Sequence, residues 1–183
     1  SSQAIREPRV MGFPYRVGFG IPPPYSDRKL WSKGRAMIRR YGSTPKNGQH
    51  YGMRAGVYAI LPRDGAILMT FQGDPHNELQ LPGGGIDPGE SPLRALHREV
   101  FEETGWHIAR PRRLGAFRRF TFMPDYDRFA EKLCHVYVVH PVRRIGPPSE
   151  PNHKALWVDP AMALQNLANV GDAAFLADYV AGL

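Results

Sequence analysis

The segment from Leu81 to Trp106, LPGGGIDPGESPLRALHREVFEETGW, constrains the fold of this chain more than any other part of its sequence. Three glycines precede a proline-containing turn, and a complete set of helix signals follows. Ser91 is a favourable N-cap, Pro92 suits the first helical position, and Gly105 is typical of the position just beyond a helix C-terminus. The segment therefore predicts a glycine-rich loop followed by a helix from about Pro92 to Thr104.

The end of this helix carries three carboxylates, Glu99, Glu102 and Glu103, which i, i+3 and i, i+4 spacing brings together. Like charges at this spacing repel one another, and acidic residues near a helix C-terminus oppose the helix dipole. Arg98 reaches Glu102 one turn later and offsets part of this cost. The remaining charge indicates a missing cation, and clustered carboxylates are typical ligands of Mg²⁺ or Mn²⁺. The alternative is an exposed glutamate-rich face without a function.

The two faces of the helix are expected to have different roles. Leu93, Leu96 and Val100 recur at i, i+3 and i+7 and are predicted to face the core. The carboxylates are then expected on the side away from the leucines. The carbonyls of the glycines at 83–85 are expected to be open to the same metal ion, because glycine has no side chain to cover them.

The remaining sequence predicts an α/β fold in which a mixed sheet is sandwiched between helices. A turn at 62–65 between two β-rich runs predicts a hairpin. Further strands are predicted within 77–82, 107–122, 131–142 and 155–159, and helices within 163–169 and 172–180. We expect a domain over residues 51–183, preceded by a basic, proline-containing extension over residues 1–50.

Composition narrows the class of protein. No apolar run approaches 18 residues, so no membrane span is expected, and the first residues do not predict a signal peptide. The only cysteine, Cys134, excludes a disulfide framework and favours a cytoplasmic location, and it is predicted to be a buried apolar residue. The net charge of +7 favours anionic partners such as nucleotides or nucleic acid.

The segment also resembles the Nudix box, Gly-x5-Glu-x7-Arg-Glu-U-x-Glu-Glu-x-Gly-U, in which U is a bulky apolar residue. The matching residues are Gly84, Glu90, Arg98, Glu99, Val100, Glu102, Glu103, Gly105 and Trp106. Seven of these positions require one residue type each. A chance match in a chain of this length has odds on the order of one in a million. The resemblance implies a Nudix fold and divalent-metal-dependent hydrolysis of a nucleoside diphosphate linked to another group.

The resemblance also implies roles for individual residues. Glu99, Glu102 and Glu103 would bind the metal and serve catalysis, and Arg98 would hold them by charge-assisted hydrogen bonds. The Gly83 carbonyl would be a further ligand, as the equivalent glycine is in some members. The residues that would support the site are Gly84, Gly85, Glu90 and Gly105.

The general base is left open by the sequence, because members of the family differ in which carboxylate accepts the proton. Glu99 is one candidate. Glu150 is another, and it is also a candidate metal ligand because related enzymes often place an acidic ligand in the corresponding loop. His153 and the pair Asp125 and Asp127 are weaker alternatives.

The substrate class is also left open. A nucleoside triphosphate, a dinucleoside polyphosphate or ADP-ribose fits the resemblance, and a homodimer is compatible with it. The alternatives are an RNA 5′-end pyrophosphohydrolase and a Nudix module that senses a nucleotide without cleaving it. Pro124 and Tyr126 lie too far downstream to assign a subfamily. Four aromatic residues are candidates to stack on a base, although aromatic residues on strands more often belong to the core: Phe120, Phe122, Tyr126 and Trp157. One of Arg118 and Arg119 is expected to reach a phosphate and the other to be solvated.

Overall fold

The structure is a computed structural model that describes residues 38–74, 76–123 and 126–182. Most of the predicted extension, together with Pro124 and Asp125, lies outside these residues. The elements within them are β1 (Arg39–Arg40), β2 (Gly52–Arg63), β3 (Ala66–Gln72), β4 (Glu78–Gln80), β5 (Gly83–Gly85), α1 (Pro92–Thr104), β6 (Trp106–Met123), β7 (Arg128–Arg144), β8 (His153–Val158), α2 (Pro160–Asn166) and α3 (Val170–Ala181).

The strands form one mixed sheet with the order β1-β6-β7-β2-β3-β4, with β5 paired to β2 and β8 paired to β3. The pairs β1–β6 and β2–β7 are parallel, whereas β6 and β7 form a long antiparallel pair. The predicted hairpin of β2 and β3 turns through Asp64 and Gly65, which both have positive φ angles. The predicted mixed sheet is therefore confirmed.

Two apolar clusters cover the two faces of this sheet. Val57 and Ala59 of β2 pack with Leu96 and Val100 of α1 in one cluster. Their neighbours in sequence, Tyr58 and Ile60, point the other way and pack with residues of α2 and α3. Cys134 is buried in this second cluster, as predicted. No helix among the described residues is both long enough and apolar enough to cross a bilayer.

Three details differ from the sequence predictions. The glycines at 83–85 form an edge strand on β2 and not a loop. Leu93 is 46% exposed, so its predicted place in the core is wrong. The buried face of α1 consists of Ala95, Leu96, Glu99, Val100, Glu103 and Thr104. Two of the three carboxylates therefore lie beside the apolar residues, because the helix is rotated to direct them at the glycine strand.

Candidate metal-binding active site

Helix α1 has the ends that its sequence predicts. The Ser91 hydroxyl accepts a hydrogen bond from the Arg94 amide at 3.3 Å. Gly105 has a φ of 74°, and its N–H donates to the Phe101 carbonyl at 2.8 Å. These local caps fix the register of the helix, and with it the positions from which the glutamates project.

The glycine strand β5 lets the helix carboxylates approach the sheet. Gly83 pairs with Tyr58, and its N–H donates to Glu103 Oε2 at 2.9 Å. A Cβ atom on Gly84 would overlap the Glu99 carboxylate, and a Cβ atom on Gly83 would overlap the Val57 carbonyl. Gly83 therefore needs glycine for space, and its φ of 147° also favours glycine. A side chain at position 84 would displace the Glu99 carboxylate.

Arg98 links the helix, the turn before it and the glycine strand. Its Nη1 donates to Glu99 Oε1 at 2.8 Å and to Glu102 Oε2 at 3.1 Å. Its Nε and Nη2 donate to the two carboxylate oxygens of Glu90 at 3.1 and 2.8 Å, and Nη2 also reaches the Gly85 carbonyl at 3.0 Å. The hydrogen bond from Arg98 lowers the pKa of Glu90, so this pair stays ionised.

The loop between β7 and β8 brings a fourth carboxylate to the cluster. The amides of Ser149 and Glu150 donate to the Glu102 carbonyl at 2.8 and 3.1 Å, which satisfies a free carbonyl at the end of α1. Oxygens of Glu99, Glu102 and Glu150 lie within 4.8 Å of one another, a spacing that allows a shared cation.

His153 lies between two of these carboxylates. Its Nδ1 is 3.5 Å from Glu103 Oε1 and 3.3 Å from the Thr70 hydroxyl, and its Nε2 is 3.6 Å from Glu150 Oε2. Burial lowers the pKa of His153, which keeps the imidazole neutral and able to serve as a ligand. Glu103, Glu150 and His153 form a second group with ligand atoms within 4.8 Å.

Burial makes this cluster electrostatically costly. Glu99 is 7% exposed and Glu103 is 5% exposed. Burial raises the pKa of Glu99 to about 6, and it raises the pKa of Glu103 well above its usual value. Among the described residues, Arg98 is the one guanidinium bonded to the cluster, through Glu99 and Glu102. The donor set therefore fits a divalent cation, because oxygen-rich groups of this kind are typical sites for hard ions.

A sequence model of the NUDIX domain matches residues 50–179 of the chain. The chain belongs to the Nudix family. The family generally depends on divalent metal, and the carboxylate cluster of this Nudix domain is compatible with one.

Solved structures have the same Nudix fold. A NUDIX hydrolase from Nitrosomonas europaea is 21% identical and superposes with a TM-score of 0.56, covering 70% of this chain and 89% of that one. A MutT NUDIX hydrolase from Burkholderia pseudomallei is 26% identical with a TM-score of 0.53, covering 68% of this chain and 96% of that one. These likenesses confirm the predicted fold class.

Curated relatives match over shorter stretches. An RNA pyrophosphohydrolase from Psychrobacter cryohalolentis is 43% identical over 56 residues, which are 31% of this chain and 32% of the relative. A Bacillus subtilis protein named for a proposed 8-oxo-dGTP diphosphatase activity is 43% identical over 74 residues, which are 40% of this chain and 50% of the relative. The chain thus spans half or less of the length of these two relatives.

The structure brings the Nudix-box residues, Glu150 and His153 together, but it leaves other predicted candidates elsewhere. Asp127 lies in the β6–β7 connection and belongs to neither metal-compatible group of the described residues. Trp157 meets the edge of Trp106 beside the α1 core cluster. Phe120 packs against the ring of Tyr51, and Phe122 packs against the ring of Phe129.

Some residues of the sheet that lie beside the candidate metal site were not predicted from the sequence. Thr70 beside His153 is one, and Arg54 and Lys132 on β2 and β7 are others. The only sequence signal for Arg54 and Lys132 is a basic residue just before each buried apolar run. Their closeness depends on strand register, which pairs residues that are far apart along the chain.

Proposed function

We propose that this protein is a Mg²⁺-dependent Nudix pyrophosphohydrolase that cleaves a nucleoside diphosphate linked to another group. The observation that carries the proposal is the burial of Glu99 and Glu103 beside Glu102 and Glu150, with Arg98 bonded to Glu99 and Glu102. A divalent cation bound here would neutralise the phosphates and lower the pKa of the attacking water. Carboxylate oxygens dominate the donor set, which favours Mg²⁺, with Mn²⁺ as a substitute.

The chain's own residues divide the remaining work. Glu99, Glu102 and Glu103 would hold the metal, with the Gly83 carbonyl as a candidate further ligand beside them. Arg98 positions Glu99 and Glu102, and Glu90 in turn fixes Arg98. Gly84, Gly85 and Gly105 support the site by allowing β5 and the β7–β8 loop to approach α1.

Glu150 is our candidate for the general base, and it is also a candidate metal ligand. Arg98 holds Glu99 and Glu102, and the Gly83 amide holds Glu103, so these three carboxylates are fixed in place. The side chain of Glu150 is 41% exposed and its near neighbour is the His153 ring. It is therefore freest to turn toward a water molecule and accept its proton.

The test is phosphate and pyrophosphate release from a panel of nucleoside triphosphates, dinucleoside polyphosphates, ADP-ribose and 5′-triphosphorylated RNA, with Mg²⁺ or Mn²⁺. We expect Glu103→Gln to lower kcat by at least about 100-fold and to weaken Mn²⁺ binding in calorimetry. The glutamine oxygen can still accept from the Gly83 amide, so folding should persist. Glu78→Gln, outside the cluster, is the matched control and should match wild type.

Wild-type activity in the Glu103→Gln protein would contradict the assigned site. Failure of a folded, metal-loaded wild-type protein to cleave any compound would favour the nucleotide-sensing alternative. RNA cleavage is the second candidate activity, because the chain carries a net charge of +7 and matches an RNA pyrophosphohydrolase over 56 residues. Preference for RNA over every nucleotide in the panel would establish it.

A further inference from the structure

Three basic side chains lie in one row across the sheet next to the candidate site. Strand register pairs Arg54 of β2 with Lys132 of β7, and it pairs Lys132 with Arg119 of β6. Directly paired residues project from the same face of a sheet, where like charges destabilise the pairing. Neighbouring strands lie about 4.8 Å apart, so the row extends over roughly 10 Å.

The groups that surround these three side chains offset only part of their positive charge. Asp172 in the first turn of α3 is 2% exposed and faces Arg119 and Lys132. Its Oδ1 and the Nε of Arg119 are buried and have no hydrogen-bond partner among the described residues. Within the part of the chain that the structure describes, the one hydrogen bond of Lys132 Nζ is a long 3.4 Å bond to the Tyr58 hydroxyl. Burial, together with Arg119 and Arg54, lowers the pKa of Lys132.

The row begins at the glycine strand that supports the carboxylates. A Cβ atom on Gly85 would lie 2.8 Å from Arg54 Nη2, and the Gly85 carbonyl accepts from Arg98 at 3.0 Å. Tyr58, which contacts Lys132, pairs with Gly83, whose amide holds Glu103. An anion that reaches the carboxylate site from this face would therefore meet Arg54 first.

We propose that Arg54, Lys132 and Arg119 bind the phosphates of the substrate that extend beyond the metal site, on the side of β5 opposite the carboxylates. The proposal rests on the proposed pyrophosphohydrolase function and names its substrate class, a polyphosphate with three or more phosphates in a row. Free nucleoside triphosphates, dinucleoside polyphosphates and RNA 5′-triphosphates share this chemistry. ADP-ribose, with two phosphates, would leave part of the row unpaired, which is costly for partly buried cations.

The direct test is calorimetric binding of inorganic tripolyphosphate to the metal-free protein. We expect wild type to bind it, and we expect Lys132→Met and Arg119→Gln to weaken binding roughly tenfold or more. Arg118→Gln is the matched control. This substitution removes the same charge from the residue that precedes Arg119 on β6 and contacts Glu131. The Arg118→Gln protein should bind tripolyphosphate as wild type does. Glu103→Gln should not weaken binding, because the probe needs no metal.

Thermal unfolding separates a binding role from a structural one. Lys132→Met removes repulsion from the row, so its Tm should be equal to or above that of wild type while its anion affinity falls. Absence of tripolyphosphate binding by wild type, or an equal loss in Arg118→Gln, would overturn the proposal. Equal affinity for pyrophosphate would overturn the requirement for three phosphates.

The cleavage panel keeps this result separate from the proposed function. Tripolyphosphate binding without hydrolysis of any compound would contradict the proposed hydrolase activity and support phosphate binding by the three basic residues. Hydrolysis without tripolyphosphate binding would support the hydrolase activity and contradict phosphate binding by the three basic residues. Comparison of free nucleoside triphosphate with 5′-triphosphorylated RNA in the same panel distinguishes the two sources of the polyphosphate.

Discussion

At the residue scale, replacement of Arg98 should distinguish the effect of its charge from the effect of its hydrogen-bond geometry in the candidate active site. Its guanidinium donates to Glu90, Glu99 and Glu102 at the same time, and an ammonium group cannot reproduce that planar set of bonds. We expect Arg98→Lys to lower kcat and Mn²⁺ affinity by roughly 10–100-fold although the charge is kept. Arg94→Lys, one turn earlier and exposed, should have no effect in the same kinetic and calorimetric assays.

An Arg98→Lys protein with wild-type kinetics would show that charge alone suffices at this position. It would also show that the hydrogen bonds of Arg98 are not needed to position the carboxylates.

Glu99 should make the stability of the metal-free protein depend on pH. Burial raises its pKa from 4.5 to about 6, so the folded state holds a proton that the unfolded state releases. This contribution is complete below pH 4.5 and is lost as the pH rises through about 6, which amounts to about 2 kcal/mol. We expect the free energy of unfolding, measured with EDTA and urea, to fall less with rising pH in Glu99→Gln.

The control for this measurement is Glu78→Gln, whose pH profile should follow that of wild type. Parallel profiles for wild type and Glu99→Gln would exclude the buried carboxylate as the source of the pH dependence.

At the scale of elements, the end of α1 and the β7–β8 loop depend on one glycine. A Cβ atom on Gly105 would overlap the Gly146 carbonyl, and its φ of 74° is unfavourable for other residues. We expect Gly105→Ala to lower the free energy of unfolding by about 1–3 kcal/mol and to weaken Mn²⁺ binding by moving Glu150. Chemical denaturation and calorimetry measure the two effects.

Gly89→Ala is the matched control, because Gly89 has a φ of 80° but no atom within 4 Å of the added Cβ. It should lose stability without losing metal affinity. Equal metal affinity in Gly105→Ala and wild type would contradict the dependence of the Glu150 position on this contact.

The sequence predicts α1 well and its surroundings poorly, for a physical reason. The helix ends are fixed by neighbours in sequence, such as Ser91 and Gly105, so local signals locate them. The orientation of Glu99 and Glu103 toward the sheet depends on the glycine strand, which pairs with a distant part of the chain. The predicted core position of Leu93 is wrong for the same reason. A helical period identifies an apolar stripe but not the neighbour against which the helix rotates.

Polar neighbours across strands were the least predictable. Lys132 lies beside Arg54 and Arg119 only because β7 pairs with β2 on one side and β6 on the other. A shift of one residue in either register would turn one of these side chains to the opposite face. The sequence alone gives no measure of that register.

At the scale of the whole molecule, the net charge of +7 predicts different salt responses for different substrates. A single-stranded RNA contacts basic residues through many phosphates and releases counterions on binding, whereas a free nucleotide releases few. We expect kcat/KM for 5′-triphosphorylated RNA to fall more steeply than kcat/KM for a nucleoside triphosphate between about 50 and 200 mM KCl. Equal slopes would show that RNA makes no contacts beyond its terminal phosphates.

The parallel pairing of β2 with β7 also bears on when the candidate metal site can assemble during synthesis. Helix α1 and β5 leave the ribosome early, but β5 depends on β2, and β2 must wait for β7 to complete the centre of the sheet. Such non-local pairing is slow compared with the formation of a helix. Glu150 and His153 emerge later still. A nascent chain that ends before β8 carries the Nudix box but lacks His153, so we expect the full set of candidate ligands to be available only after β8 has been made.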